Sequence, residues 1–262
     1  MKKTLRLTTK LLAIVLIIAT LAGGVTAFAA SRTQTLSKAP DLFNYVLQGY
    51  NGDGRGPIII TRGTLQDRSG LGKKTVYLVT LAGTDNHLQQ STNALSDVLA
   101  GINLPNAYFD RATSAILKAV PKNANLILAG HSLGGMVAQQ LAANPTIKSK
   151  YKILNTVTFG SPLTAPGLQE GTTRRLADKA DPVPYLSVNT LIFPIHIAIG
   201  MKTESAGYSV SQGWEAHGCS YSNAKVWGAY DVLGDKGGRK QLVLDMNTQQ
   251  FFKAPTYFGL PY

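Results

Sequence analysis

Apolar positions along the chain follow two rhythms. Short apolar runs rich in β-branched and aromatic residues, PIIIT (57–61), KTVYLVTL (74–81), ANLILAG (124–130) and KILNTVTFG (152–160), are bounded by glycine or charged residues and predict strands. The segment RGTLQDRSGLGK (62–73) joins the first two as a hairpin or loop, with Arg62-Gly63-Thr64 as its turn. Helical composition marks DLFNYVLQGY (41–50), NAYFDRATSAILKAV (106–120) and GGMVAQQLAAN (134–144), the last two stopped by Pro121 and Pro145. Strands that alternate with helices predict an α/β fold: a mainly parallel central sheet with helices on both faces and function at the strand ends. No internal repeat or long linker interrupts this order, so residues 30–262 read as a single domain.

The first 29 residues differ in kind. MKKTLRLTTK is positively charged, an apolar run follows from Leu11 to about Leu21, and Ala27 and Ala29 supply small residues for cleavage. This is the pattern of a signal peptide cut after Ala29, with Ala27 as the second choice and an uncleaved anchor as the competing reading; the apolar run is short for a membrane span. A secreted protein is expected. The 26 basic and 14 acidic side chains give a net charge of +12, and loss of Lys2, Lys3, Arg6 and Lys10 with the leader leaves +8. Outside a cell this surplus favours transient contact with an anionic membrane surface or wall polymers, its simplest use being solubility. Nothing interleaves arginines with aromatics in the manner of a nucleic-acid site, so no nucleic-acid partner is expected. The single cysteine, Cys219, forms no internal disulfide and reads as a small buried residue.

Chemistry gathers first at Gly130-His131-Ser132-Leu133-Gly134, a G-x-S-x-G pentapeptide that directly follows a predicted strand and directly precedes a predicted helix. In such an elbow the serine hydroxyl stands clear of a strained turn, and side chains at Gly130 or Gly134 would collide across it. The amide of Leu133, at the positive end of the helix, faces any oxyanion that forms. A glycine-rich turn without chemistry is the plain alternative. It is tested by the rest of the chain.

The partners of such a serine follow it in the order acid, then histidine. His87 precedes Ser132, and His131 is held within the elbow with its side chain directed away from the hydroxyl. His196, in FPIHIAIG (193–200), sits among isoleucines, whereas His217, in WEAHGCSYSN (214–223), lies in a polar segment suited to a loop and is preferred as the base. For the acid, LADKADPVPYL (176–186) offers Asp178 and Asp181; Asp181 opens a rigid Asp-Pro-Val-Pro stretch that would aim a carboxylate at an imidazole and is preferred. A second oxyanion donor is expected from Thr84, in LAGT at the end of the longer apolar run, rather than from Thr64. Residues 85–106 mix a polar start with spaced leucines and valine, which suits a lid or an ordinary packed helix equally. No compact ligand cluster calls for a metal, no cofactor is expected, and a structural calcium near NGDG (51–54) stays open.

With these residues placed, the chain resembles the class 3 lipase family, the α/β-hydrolases that include fungal triacylglycerol lipases. AGHSLGG (129–135) is similar to that family's nucleophile segment, VTFGSP (157–162) to the strand and turn after the elbow helix, and DPVPYL (181–186) to the segment opening with the catalytic aspartate. LAGT (81–84) is similar to the oxyanion segment, except that Ala82 stands where arginine is usual. The resemblance implies an α/β-hydrolase fold, a Ser132, Asp181 and His217 triad, Thr84 and Leu133 as oxyanion donors, and cofactor-free ester hydrolysis. It also implies a noncatalytic histidine between acid and base, which His196 would supply. An acylglycerol is the implied substrate. The charge makes an anionic phospholipid the runner-up, a soluble short-chain ester is a further candidate, and a non-catalytic envelope-binding module on the same scaffold is the reading from another class.

Overall fold

The computed structural model describes residues 32–50, 55–83, 107–186 and 199–254. The proposed leader, Asn51–Gly54, Thr84, the 85–106 segment and His196 lie outside them. Within Arg32–Tyr262, which forms one compact unit, the elements run β1 (Thr33–Leu36), α1 (Ala39–Leu47), β2 (Ile58–Asp67), β3 (Lys74–Leu81), α2 (Ala107–Ala119), β4 (Asn125–His131), α3 (Leu133–Ala143), α4 (Pro145–Lys148), β5 (Lys152–Phe159), β6 (Thr172–Asp178), β7 (Met201–Glu204), α5 (Gly213–Cys219), α6 (Ala224–Trp227), β8 (Lys240–Asp245) and β9 (Gln250–Phe252).

These strands form one sheet in the order β1-β8-β2-β3-β4-β5-β6-β7, with β9 also pairing β2. From β3 to β7 every pairing is parallel, while β1, β8, β2 and β9 make an antiparallel wing. This is the α/β-hydrolase fold. β3–β4 and β4–β5 are parallel because α2, and then α3 with α4, return the chain to the same sheet end between them. On β4 the alternation is direct: Leu126 and Leu128 pack with α2 and α3 on one face, Ile127 and Ala129 with α1, Tyr221 and Trp227 on the other. Both faces are therefore covered, which is why this strand is apolar without interruption.

Two expectations are corrected here. Arg62-Gly63-Thr64 is not a turn. It lies inside β2, opposite Tyr77, Val76 and Thr75, and the strand continues to Asp67 before the chain reverses over 68–73, where Gly70 and Gly72 take positive φ. Gly63 reads as turn chemistry but answers a packing need: a Cβ there would lie 2.8 Å from the Val243 carbonyl oxygen on β8. Cys219, expected to be buried, is exposed. It ends α5, whose inward face is Gly213, Ala216 and His217, and so falls on the outer side.

The two-sided burial of β4 yields a stability prediction. Ile127→Ala and Leu128→Ala point to opposite faces, yet each is expected to lower the unfolding free energy by about 2–5 kcal/mol. Arg62→Ala, at an exposed β2 position, should change it by less than about 0.5 kcal/mol. Urea melts of the three variants check this; a β4 strand buried on one face only would show a large loss in just one of the pair.

Candidate active site

The parallel register brings the carboxyl ends of four strands side by side: Leu81 pairs with Gly130, His131 with Phe159, and Phe159 with Leu176. Ser132 is the residue between β4 and α3, and its backbone sits at φ 54°, ψ −124°. That region is steeply unfavourable for a residue with a Cβ, at a cost of about 1–3 kcal/mol, and persists only where neighbours enforce it. The enforcing contacts are specific. Ser132 N–H donates to the Phe159 carbonyl (3.0 Å), and the Ser132 carbonyl accepts from the amides of Gly135 (3.0 Å) and Met136 (3.2 Å), tying the strained residue to β5 on one side and α3 on the other.

The flanking glycines are required by crowding, though not quite as the pentapeptide suggests. A Cβ on Gly130 would run into the Gly134 carbonyl and come within 2.6 Å of the Gly135 nitrogen, as expected. A Cβ on Gly134 would instead strike the backbone carbonyls of Leu81 and Ala82, so this glycine lets α3 close onto the end of β3. Leu133 is the first residue of α3, and its amide is one that the helix itself cannot pair. Beside it, the chain after β3 is described as far as Gly83, where a Cβ would sit 2.8 Å from the Ser132 Cβ. Thr84, the expected second donor, comes next in sequence and lies outside the described residues. Ala82 is fully buried, its Cβ 2.9 Å from where one on Gly49 would stand, which leaves no room for an arginine.

Asp181 and His217 meet. The His217 Nδ1 lies 3.0 and 3.1 Å from the two Asp181 carboxylate oxygens. Asp181 is fully buried just after β6, where its Oδ1 also accepts the Val183 amide (2.9 Å) and its Oδ2 the Tyr221 hydroxyl (2.6 Å). The turn is anchored from beneath by buried Arg175, which donates to the carbonyls of Ser161 (3.1 Å) and Pro184 (2.7 Å). Burial alone would raise the Asp181 carboxyl. The charge of His217, with hydrogen bonds from His217, Tyr221 and Val183, outweighs it and holds the group below its ordinary value. Asp178, the other acid, is committed elsewhere: it accepts from Ala180 N–H, Ala206 N–H and the Ser220 hydroxyl.

His217 is on a helix rather than in the loop its polar, glycine-flanked neighbourhood suggests. The Gly213-Trp-Glu-Ala-His-Gly-Cys segment has weak intrinsic helicity, but Ala216 is wholly buried and Gly213 packs so closely that a Cβ there would lie 3.0 Å from the Ala180 carbonyl oxygen and 3.1 Å from Pro182. Tertiary packing overrides propensity there. With Nδ1 on Asp181, Nε2 is the ring nitrogen left for a substrate or nucleophile. No hydrogen bond between Ser132 Oγ and His217 forms in this geometry. Such contacts are commonly loose without substrate and tighten in the reacting complex. What ties serine to imidazole is Gly160, immediately after Phe159: at φ 54° it passes so close to the pair that a Cβ would lie 2.6 Å from Asp181 Oδ2 and 2.9 Å from His217 Nδ1.

His131 is closer to the pair than its place in the elbow suggests. Its ring centroid lies 4.6 Å from that of His217, at an interplanar angle of 34°. Burial, then the neighbouring His217 charge, pushes its pKa down from 6.5 to about 3. Trp214 meets His217 edge-on at 5.9 Å. Tyr221, Gly160, Arg175 and Trp214 were not singled out from sequence. Only the positive-φ glycine in FGSP carries a local signal; the others are distant partners. Among the described residues, no group of three or more His, Cys, Asp or Glu side chains gathers as metal ligands.

Residues 85–191 match the PGAP1-like alpha/beta domain family, a lipase-like group of the α/β-hydrolase type, and the match spans Ser132 and Asp181 but neither Thr84 nor His217. It covers under half of the chain. Neither a curated relative nor a solved structure matches significantly. The match supports a lipase-like hydrolase scaffold. It does not reach the narrower class 3 lipase family.

The burial of His131 sets a pH dependence. Its folded pKa of about 3 lies below the unfolded 6.5, so the unfolded chain takes up a proton first. Stability is complete above pH 6.5 and falls as the pH drops toward 3, by up to roughly 5 kcal/mol for this group. Thermal melts between pH 7 and 4 should show Tm falling with pH, with a shallower slope in His131→Gln; an equal slope would mean that the imidazole is not held neutral.

Proposed function

We propose that this protein is a serine carboxylic ester hydrolase, acting on the acyl esters of lipids. The observation that carries the reading is Ser132, strained at φ 54° and ψ −124° between β4 and α3, at the same sheet edge as the buried Asp181–His217 pair. His217 Nε2 takes the proton from Ser132 Oγ as the hydroxyl attacks the ester carbonyl. The amides of Leu133 and Thr84 hold the oxyanion, and Asp181 keeps the Nδ1–H tautomer and stabilises the imidazolium. Collapse of the intermediate returns the proton to the departing alcohol and leaves an acyl-enzyme; water, activated by the same imidazole, releases the acid.

A lipid substrate is supported by what surrounds the pair. Val210 and Trp214, which lead into and open the His217 helix, are 90% and 43% exposed, and Tyr185, just after Asp181, is 38% exposed. Apolar side chains so placed suit an acyl chain or an acylglycerol surface. The net charge of +8 left once the four basic residues of the leader are removed from +12 favours anionic phospholipid as the alternative substrate. On residues 1–29 we place the enzyme outside the cell, as a secreted lipase of class 3 type.

A fluorophosphonate probe should label wild-type protein but not Ser132→Ala, and Asp181→Asn should lower ester turnover by about 10³–10⁴-fold without unfolding the chain. Acyl release from triglyceride, phosphatidylglycerol vesicles and nitrophenyl esters then ranks the substrates. Folded wild type that neither labels nor hydrolyses any of the three would leave a binding module instead.

A further inference from the structure

Two histidines share the site, and the second has no part in the mechanism above. His131 Nε2 lies 3.0 Å from the His217 carbonyl oxygen, its Nδ1 lies 2.6 Å from the Tyr50 hydroxyl, and that hydroxyl is 2.6 Å from the Gly83 amide. The polarity of this chain is fixed from one end. A carbonyl only accepts, so Nε2 must carry the proton. A neutral imidazole has one, so Nδ1 accepts and Tyr50 O–H donates to it. The tyrosine oxygen in turn accepts from Gly83 N–H. Burial holds His131 neutral throughout the working pH range.

We propose that Tyr50 and His131 are positioning residues of the hydrolytic site: a polarised hydrogen-bond chain, Gly83 amide to Tyr50 hydroxyl to His131 ring to His217 carbonyl, ties the oxyanion segment to the main chain of the general base. The inference rests on the ester-hydrolase reading for its kinetic meaning. Its four members come from the end of β3, the turn Gln48–Tyr50, the end of β4 and α5. None of these segments is held to another by strand pairing at these residues. The His217 carbonyl is in the last turn of a seven-residue helix, and the His131 ring donates to it.

The consequence is geometric coupling. Gly83 immediately precedes Thr84, the expected oxyanion donor, and its backbone lies against Ser132 Cβ. A displacement of that segment is therefore passed through two side chains to the backbone that carries the base. The ring contact between His131 and His217 gives the same pair a second surface of contact. Tyr50→Phe breaks the chain at its centre while keeping the ring. It strands the Gly83 amide and frees His131 to take the other tautomer, which would turn a lone pair toward the His217 carbonyl.

The test has two readouts. On resting wild type, ¹⁵N NMR of the imidazoles should show His131 as the Nε2–H tautomer, without titration between pH 5 and 8. With active sites counted by fluorophosphonate, Tyr50→Phe should lower kcat on a nitrophenyl ester by roughly ten- to a hundredfold, with KM within about twofold. His131→Gln, which keeps a donor for the carbonyl, should retain more kcat than His131→Phe. An Nδ1–H tautomer overturns the chain, and a Tyr50→Phe variant with wild-type kcat per labelled site overturns the positioning role even if its Tm falls. An inactive wild type with the Nε2–H form would sink the ester-hydrolase reading and leave the hydrogen-bond chain supported; an active one with the Nδ1–H form would do the reverse.

Discussion

The backbone of Ser132 is held where a residue with a side chain does not rest by itself, and most of the architecture around it serves to keep it there. The strain is local but its restraint is distributed: β5 takes the serine amide, α3 takes its carbonyl, and β3 fills the space that a side chain on Gly134 would need. Strand order β3-β4-β5 makes this arrangement available, because the elbow must have a neighbour on each side. The antiparallel wing of β1, β8, β2 and β9 lies beyond it, and α1 packs over the face where β4 presents Ile127 and Ala129. Tyr50 follows that helix by one short turn.

The same edge solves a second problem, that of a carboxylate with no exposure to water. Asp181 stays below its ordinary pKa because the charge of His217, then hydrogen bonds from His217, Tyr221 and Val183, outweigh the cost of its burial. Gly160 lets β5 pass beneath the pair, so the turn that receives the serine amide also closes against acid and imidazole. Ser132 and the Asp181–His217 pair are thereby registered to one strand end, although the three residues lie far apart in sequence.

β3, β4 and β5 of the parallel half are legible because their middles are near-continuous apolar or β-branched runs, and helices with clear stops separate them. β6 (TTRRLAD) and β7 (MKTE) carry no such run and are not. Of the antiparallel wing β2 is legible, whereas β1 and β9 are four and three residues long, and their strand character depends on partners far away in the chain. Gly63 misled because a glycine demanded by a neighbouring strand looks the same in sequence as a glycine demanded by a turn. At the site, Ser132 is written locally as a pentapeptide between strand and helix, and Asp181 was chosen over Asp178 by the rigidity of its prolines. Chain order points to His217, while its helix has no local mark because packing against Ala180 and Pro182 creates it. Tyr50, Tyr221 and Arg175 act across the fold, and no local pattern announces them.

If Ser132 is the nucleophile, Ser132, His217 and the amide of Leu133 converge on one reacting atom, and a crystal structure of the protein after reaction with an alkyl phosphonate reads out that convergence. The adduct should show phosphorus bonded to Ser132 Oγ, one phosphoryl oxygen on the Leu133 amide and the Thr84 amide, and His217 Nε2 within about 3 Å of Ser132 Oγ. A phosphonate bonded to another residue, or bonded to Ser132 with the His217 ring out of hydrogen-bonding reach, would contradict it.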